Sequence, residues 1–161
     1  MSDDRKPAGN KAPAKSPRRR ARELALQGLY QWRVAQSDEA AIEAFLPEIE
    51  GYAKADQRLM LELIRGVMRQ SETLIERLLP HLDRGFNELS PIEACVLLQS
   101  AFELHQHPET PYRVVINEAI ELAKTFGGTD GHKYVNGVLD KLAAVVRSLE
   151  VEARRREQNP R

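Results

Sequence analysis

Residues 90–106 read SPIEACVLLQSAFELHQ and contain a helix start followed by a very apolar helix. Ser90 and Glu93 have the spacing of a capping box, in which each side chain bonds to the backbone N–H of the other residue. Pro91 occupies the first helical position, where its missing N–H costs nothing. The helix ends near His107. Its apolar side chains are Cys95, Val96, Leu97, Leu98, Ala101, Phe102 and Leu104.

The segments on either side of this helix also have helical spacing. Helix starts are predicted at Ser16-Pro17, Ser37, Asp56, Thr110-Pro111 and Gly131. Apolar residues then recur at i, i+3, i+4 and i+7. The segment after Asp56 either continues as one helix or starts a second helix before Leu74. Gly127-Gly128 is predicted to end the helix that starts at Thr110-Pro111. The last helix is predicted to place on one side Val135, Val138, Leu139, Leu142, Val145, Val146 and Leu149. No segment alternates with a period of two, so the sequence predicts an all-α fold, a compact bundle of about seven helices.

The chain of 161 residues divides into three parts of unequal character. Residues 1–15 have two prolines and almost no large apolar side chain, and they predict a disordered basic tail. Residues 16–149 are predicted to form one helical domain, and the charged residues 150–161 are predicted to fray. There is no signal peptide and no apolar run near the roughly 20 residues of a membrane span, so we expect a cytoplasmic protein with no membrane partner.

The formal net charge of zero conceals a strong segregation of charge. Residues 1–22 carry eight basic and two acidic side chains, whereas residues 23–146 carry 11 basic and 19 acidic ones. Residues 147–161 are again slightly basic, with five arginines and three glutamates. A basic arm on an acidic body makes a polyanionic partner plausible despite the neutral total.

Arginines crowd the start of the first predicted helix. At 100° per residue, one sector beside the apolar stripe contains Arg18, Arg19, Arg22, Tyr30 and Arg33, whereas Arg20 points away. Positive charge at a helix N-terminus is unfavourable by roughly 0.3–1 kcal/mol per charge unless an anion binds there. We therefore favour a polyanion site, with Tyr30 stacking on a base, over a solvated basic face. Leu26 falls in the same sector, and a leucine exposed there would hint at a homodimer in the absence of the polyanion.

The turn GGTDGHKY, residues 127–134, is a second candidate anion site. Its backbone N–H groups and the following helix N-terminus could meet a phosphate, with Lys133 adding charge and Tyr134 a stacking face. It lacks the spacing of a P-loop or a dinucleotide fingerprint, so a flexible turn is the main alternative and a mononucleotide site a minor one.

The sequence shows no catalytic or metal-binding constellation. A single cysteine, Cys95, lies within an apolar helix and excludes both an intramolecular disulfide and a multi-cysteine metal site. His105 and His107 are two residues apart and so face different sides of a helix. We therefore predict neither an enzyme nor a cofactor.

Three runs of residues carry a resemblance to a known family. They are RRRARE at 18–23 with Leu29-Tyr30, PYRVVINEAIELAK at 111–124 with Phe126-Gly127, and HKYVNGVLD at 132–140. On these runs, and over about residues 17–147, the chain resembles the NusB family of bacterial transcription antitermination factors. The resemblance implies an all-α fold of two helical subdomains.

The resemblance also implies partners and site residues. Members bind single-stranded boxA RNA of ribosomal RNA leader transcripts together with the ribosomal protein NusE, and they act with other Nus factors and RNA polymerase. The residues implied to bind RNA are Arg18, Arg19, Arg20, Arg22, Tyr30, Thr129, Asp130, Lys133 and Tyr134. Glu93 falls where members meet RNA or the protein partner, and Asp130 matches a position linked to the strength of the complex. The acidic body suits a basic ribosomal protein. A helical module that serves an RNA methyltransferase and a purely structural scaffold are the alternatives.

Overall fold

The computed structural model describes residues 14–159, and these residues form helices joined by short loops. The helices are α1 (Pro17–Ala35), α2 (Glu39–Phe45), α3 (Gln57–Leu78), α4 (Pro91–Gln106), α5 (Tyr112–Phe126), α6 (Gly131–Val146) and α7 (Ser148–Gln158). No strand occurs within this part of the chain. The predicted all-α bundle of about seven helices is therefore confirmed. The predicted disordered tail falls mostly on residues 1–13, which lie outside the described residues.

Helix α4 is the central element of the bundle. Every residue from Ala94 to Leu104 is buried, because α1, α3, α5 and α6 all pack around it. Its capping box is present as predicted, with the Glu93 N–H donating to Ser90 Oγ at 3.2 Å and the Ser90 N–H donating to Glu93 Oε1 at 3.3 Å. Helices α1 and α3 pack on one side of α4 and helices α5 and α6 on the other, and one continuous apolar core joins the two halves.

Two helix starts differ from the sequence prediction. Helix α2 is capped by Asp38 and not by Ser37, because the Asp38 carboxylate accepts the Ala41 N–H at 2.8 Å. Helix α5 begins after Pro111, and Thr110 does not cap it. The Thr110 hydroxyl instead accepts a hydrogen bond from Arg18 at 3.4 Å.

The end of the chain also differs from the prediction of a frayed tail. Helix α6 ends at Val146 and α7 continues to Gln158, with Val151 buried against the core. Val145 in the last turn of α6 and Leu149 beyond the break at Arg147 (φ −118°, ψ 42°) do not share the buried side as predicted, and they are 67% and 87% exposed.

Helix α3 is bent in the segment where the sequence left open whether one helix continues or a second helix starts. Gln70 departs from helical geometry (φ −117°, ψ 18°), so the segment after Asp56 continues as one helix across a kink.

Replacing Gly66 with alanine is expected to destabilise the fold. Gly66 lies inside α3, and a Cβ there would stand 2.1–2.8 Å from three ring carbons of Phe102. Overpacking of this kind costs about 1–3 kcal/mol, which outweighs the roughly 1 kcal/mol that alanine gains in helix propensity. Urea unfolding followed by circular dichroism measures the difference.

Gly137 provides the matched control for this prediction. It lies inside α6, and nothing approaches within 4 Å of the position of its missing Cβ. Gly137→Ala is therefore expected to stabilise the protein by about 0.4–1 kcal/mol. Equal effects of the two substitutions would show that Phe102 moves aside without cost.

Candidate nucleic-acid interface

An open cleft lies between the first turns of α1 and α5, and it brings several of the predicted residues together. Its volume is about 860 Å³. Its lining residues are Ala14, Lys15, Ser16, Arg18, Arg19, Arg22, Glu109, Thr110, Pro111, Val114 and Glu118. Four of these side chains are cationic and two are carboxylates, so positive charge predominates in the cleft. We refer to this feature as the arginine cleft.

Arg18 and Arg19 are the exposed arginines of the arginine cleft. Each has a side chain that is 44% exposed. Both follow Ser16, whose side chain accepts the Arg19 N–H at 3.0 Å and so fixes the first turn of α1. Arg18 is held loosely, 3.6 Å from Asp56.

Arg19 is held more firmly than Arg18. Its Nε and Nη2 donate to the two carboxylate oxygens of Glu118 at 3.1 and 2.7 Å. This hydrogen bond, with the charge of Glu118, raises the pKa of the Arg19 guanidinium above its ordinary value. Arg19 is therefore a fixed cation at the surface of the cleft.

Arg22 is not the surface cation that the helical sector predicted. Its side chain is 5% exposed, and it forms two hydrogen bonds of 2.5 and 3.0 Å with Glu103 of α4. Burial by itself lowers the pKa of Arg22, but the hydrogen bond and charge of Glu103 outweigh it, and the pKa is raised. Arg22 therefore joins α1 to α4 and offers little of its guanidinium to a ligand.

Two further residues of α1 lie away from the arginine cleft. Arg20 has its guanidinium beside Gly51, 3.1 Å from the position that a Cβ would take there, so it points away from the cleft as helix geometry predicted. Leu26 is only 1% exposed, and the prediction of an exposed leucine beside the basic sector is wrong. The sequence argument for a homodimer consequently loses its basis.

Tyr30 lies at the opposite end of α1, in a second groove. Tyr30 is 39% exposed. The groove has a volume of about 360 Å³ and is lined by Leu26, Gln27, Tyr30, Gln31, Phe45, Ile92 and Phe126. Since Arg19 meets Glu118 and Tyr30 shares a groove with Phe126, α1 and α5 run side by side in the same direction. We call this feature the aromatic groove.

The α5–α6 turn lies next to the start of α4. Thr129, Asp130 and Lys133 are exposed, and the Lys133 ammonium lies 3.4 Å from the Asp130 carboxylate. A Cβ on Gly131 would stand 3.1 Å from Glu93 Oε2. Glu93, predicted to meet RNA or a protein, therefore lies beside the turn that was predicted to meet RNA.

Tyr134 is partly covered by a loop that the sequence analysis did not single out. The Arg84 guanidinium stacks over the Tyr134 ring at 4.5 Å, and the Asp83 N–H donates to the phenol oxygen at 3.4 Å. Burial raises the pKa of Tyr134 above its ordinary value. Only the part of the ring not covered by Arg84 remains for a base.

A second arginine lies on an aromatic ring near the Tyr134 contact. The Arg33 guanidinium lies 4.8 Å from the centre of the Phe86 ring and donates to Asn87 at 3.4 Å. The residues that the sequence analysis missed here are Arg84 and Phe86. They lie in a loop without helical periodicity, 50 or more residues from their partners in the chain, so no local signal marks them.

The described residues carry little reactive chemistry. Cys95 is buried, and burial raises the pKa of its thiol to about 12. No group of three or more His, Cys, Asp or Glu side chains in residues 14–159 is arranged to hold a metal ion. None of the helices in the same range is both long and apolar enough to cross a membrane.

Comparisons with known proteins agree on one similarity. Residues 19–144 match the model of the NusB family. The chain is 63% identical to the transcription antitermination protein NusB of Dechloromonas aromatica (strain RCB) over 155 residues, which cover 96% of this chain and 95% of that protein. It is 57% identical to the protein of the same name from Ralstonia nicotianae (strain ATCC BAA-1114 / GMI1000), over 96% of this chain and 100% of that one.

A solved structure gives the same result for the fold. The structure of T. maritima NusB superposes with a TM-score of 0.74 at 29% sequence identity. The superposition covers 86% of this chain and 99% of the other.

Proposed function

Because the chain belongs to the NusB family, we propose that it is a non-catalytic transcription antitermination factor that binds the boxA sequence of nascent ribosomal RNA transcripts in the cytoplasm. It does so together with the ribosomal protein NusE, and with other Nus factors it supports processive transcription of ribosomal RNA genes by RNA polymerase. The names of its relatives support antitermination. The geometry of the arginine cleft is the observation that supports RNA as the ligand.

The arginine cleft has the chemistry that single-stranded RNA needs. Arg18 and Arg19 are exposed cations at the N-terminus of α1, where the helix dipole already disfavours positive charge, so a phosphate that binds there relieves that repulsion. Guanidinium groups can hold a phosphate through two parallel hydrogen bonds. The cleft therefore serves as the phosphate-binding end of the interface.

The aromatic groove and the α5–α6 turn continue the interface. Tyr30 lies about 16 Å along α1 from Arg19, at 1.5 Å per residue. Its groove includes Phe126, directly before the turn that bears Lys133 and Tyr134. Unstacked bases bind aromatic faces of this kind, and sequence preference in single-stranded RNA comes from such contacts and from hydrogen bonds to base edges.

The acidic part of the chain supports a basic protein partner. Residues 23–146 carry 19 acidic against 11 basic side chains, and charge of this sign attracts a basic ribosomal protein such as NusE. Glu93 and Asp130 lie at the edge between the turn and α4, where RNA and the protein partner would both be within reach. A homodimer in the absence of RNA stays a prediction, without the exposed leucine that suggested it.

Removing both exposed arginines tests the proposal. Arg18→Ala/Arg19→Ala is expected to weaken binding of a boxA RNA oligonucleotide by about tenfold or more, because two phosphate contacts are lost. The slope of log affinity against log salt should become shallower by about 1.4, at roughly 0.7 per phosphate on a single strand. Fluorescence anisotropy at several salt concentrations, with and without the protein partner, measures both quantities.

The matched control removes the same charge elsewhere. Arg155 and Arg156 are exposed on α7, and Arg155→Ala/Arg156→Ala is expected to leave both the affinity and the salt slope nearly unchanged. If the α1 double variant binds boxA RNA with the wild-type affinity and slope, the assignment of RNA to the arginine cleft is wrong.

A further inference from the structure

The carboxylate of Glu118 lines the arginine cleft on the face of α5 that meets α1. It bonds to Arg19 through both oxygens, at 2.7 and 3.1 Å, and lies 3.7 Å from Arg22. Its side chain is only 13% exposed, although it lines an open cleft. The charge of Glu118 therefore affects how tightly any anion binds in the arginine cleft.

Glu118 and a phosphate would compete for the same atoms of Arg19. A carboxylate and a phosphate both accept the two parallel N–H bonds of a guanidinium. The charge of Arg22 is already matched by Glu103, so Glu118 chiefly neutralises Arg19. Because the Arg19 side of this pair is 44% exposed to solvent, the pair contributes only about 1 kcal/mol, so a polyanion is able to displace the carboxylate.

We propose that Glu118 is a positioning residue that sets the affinity of this protein for RNA: it holds Arg19 ready in the free protein and is displaced from it by an RNA phosphate. This inference rests on the proposed function, because it concerns the same cleft. In the bound state the carboxylate stays within several ångströms of the phosphate, and their repulsion lowers the affinity. Glu118 thus keeps the arginine ordered at the cost of weaker binding.

The pairing also affects the salt dependence. RNA releases condensed cations when arginines neutralise its phosphates. When a phosphate displaces Glu118, the freed carboxylate attracts a cation of its own, and the net release is smaller. Without the carboxylate, the salt dependence should be steeper by up to the roughly 0.7 that one phosphate contributes on a single strand.

Glu118→Gln tests the inference, since glutamine keeps the size and one acceptor oxygen but removes the charge. We expect this variant to bind boxA RNA roughly three- to tenfold more tightly at low salt. The gain comes from removing the Coulomb repulsion between the carboxylate and a phosphate several ångströms away in a partly aqueous setting. We also expect the steeper salt slope. Anisotropy titrations at several salt concentrations measure both, and thermal unfolding confirms that the variant is folded.

Glu121→Gln is the control. Glu121 lies on the same helix and is exposed, and its loss changes the net charge by the same amount, but within residues 14–159 no arginine forms an ion pair with it. Glu121→Gln should tighten the binding of boxA RNA less than twofold. If the Glu118→Gln variant is unstable, Glu118→Ala replaces it, and the same gain in affinity is expected.

Adding Arg19→Ala separates the two proposals. In the Arg19→Ala background, Glu118→Gln should lose most of its effect, because no arginine then holds a phosphate next to the carboxylate. Wild-type affinity or weaker binding in Glu118→Gln, or an equal gain in Glu121→Gln, overturns the role of Glu118. If the wild type itself does not bind boxA RNA, or Arg18→Ala/Arg19→Ala has no effect, the proposed function fails instead.

Discussion

Replacing Glu103 with glutamine is expected to lower the free energy of unfolding by about 3–5 kcal/mol, because it leaves the charge of Arg22 buried without its partner. Both side chains are almost wholly buried, at 5% and 2% exposure, and they share two hydrogen bonds. Glu118 lies 3.7 Å from Arg22 and compensates only in part. For a chain of this length such a loss lowers the melting temperature by roughly 6–20 °C. Urea unfolding and calorimetry measure the two quantities.

A double variant separates the loss of the pair from the loss of packing. Arg22→Met/Glu103→Leu removes both charges together, and apolar side chains of similar size in place of a buried pair are often neutral or stabilising. This variant should recover most of the stability that Glu103→Gln loses. Glu121→Gln, a surface change, should stay within about 0.5 kcal/mol of the wild type. A loss below 1 kcal/mol for Glu103→Gln would contradict the view that Arg22 is desolvated.

The helix starts of the fold could be predicted wherever a cap and its partner are close in sequence. Ser16 and Ser90 each receive the N–H three residues later, and both starts are confirmed. The turn after Phe126 was also predicted, because two glycines end the helix there. These signals are local, so the chain alone contains them.

The burial of Arg22 could not be predicted from local pattern. On a helical wheel it shares a sector with Arg18 and Arg19, and all three look solvated. Its acidic partner, Glu103, lies 81 residues away in a largely apolar helix. Only the packing of α1 on α4 separates the structural arginine from the surface ones.

The covering of Tyr134 was missed for a similar reason. Helix geometry indicated that Tyr134 lies near the start of α6, which is confirmed. The guanidinium that covers its ring comes from Arg84, in a loop that belongs to neither helix flanking the turn. Contacts between a loop and a distant helix leave no periodic trace in the sequence.

The prediction of a frayed tail from residue 150 missed the role of two charged residues at the start of this segment. Arg147 and Glu150 are in fact anchors: Glu150 accepts the Tyr112 N–H at the start of α5 at 2.7 Å, and it also accepts a hydrogen bond from Arg147 at 2.7 Å. The sequence predicts that Thr110 caps the start of α5. The first backbone N–H of this helix instead bonds to a side chain 38 residues further along the chain.

Replacing Arg147 with alanine is expected to lower the free energy of unfolding by about 3–5 kcal/mol. The Arg147 guanidinium is buried and donates to three backbone carbonyls, those of Leu104, His107 and Thr110, at 2.7, 2.9 and 3.0 Å. These carbonyls lie in the last turn of α4 and the loop after it, where a helix has no intrahelical donors left. Without Arg147 the Leu104 and Thr110 carbonyls lose this donor and the His107 carbonyl keeps only the Thr110 N–H, and each buried acceptor that loses its partner is costly. Urea unfolding measures the stability, and hydrogen exchange of residues 103–112 should show the local loosening.

Arg147→Lys distinguishes this geometry from a need for positive charge alone. A lysine ammonium is a compact charge on a flexible stem and cannot span three carbonyls and a carboxylate as the planar guanidinium does. The lysine variant should therefore recover less than half of the lost stability, while Arg155→Ala on the exposed side of α7 should change it by less than about 0.5 kcal/mol. If lysine restores full stability, charge and not the fork of donors holds the end of α4. A loss below 1 kcal/mol for Arg147→Ala would mean that water reaches these carbonyls.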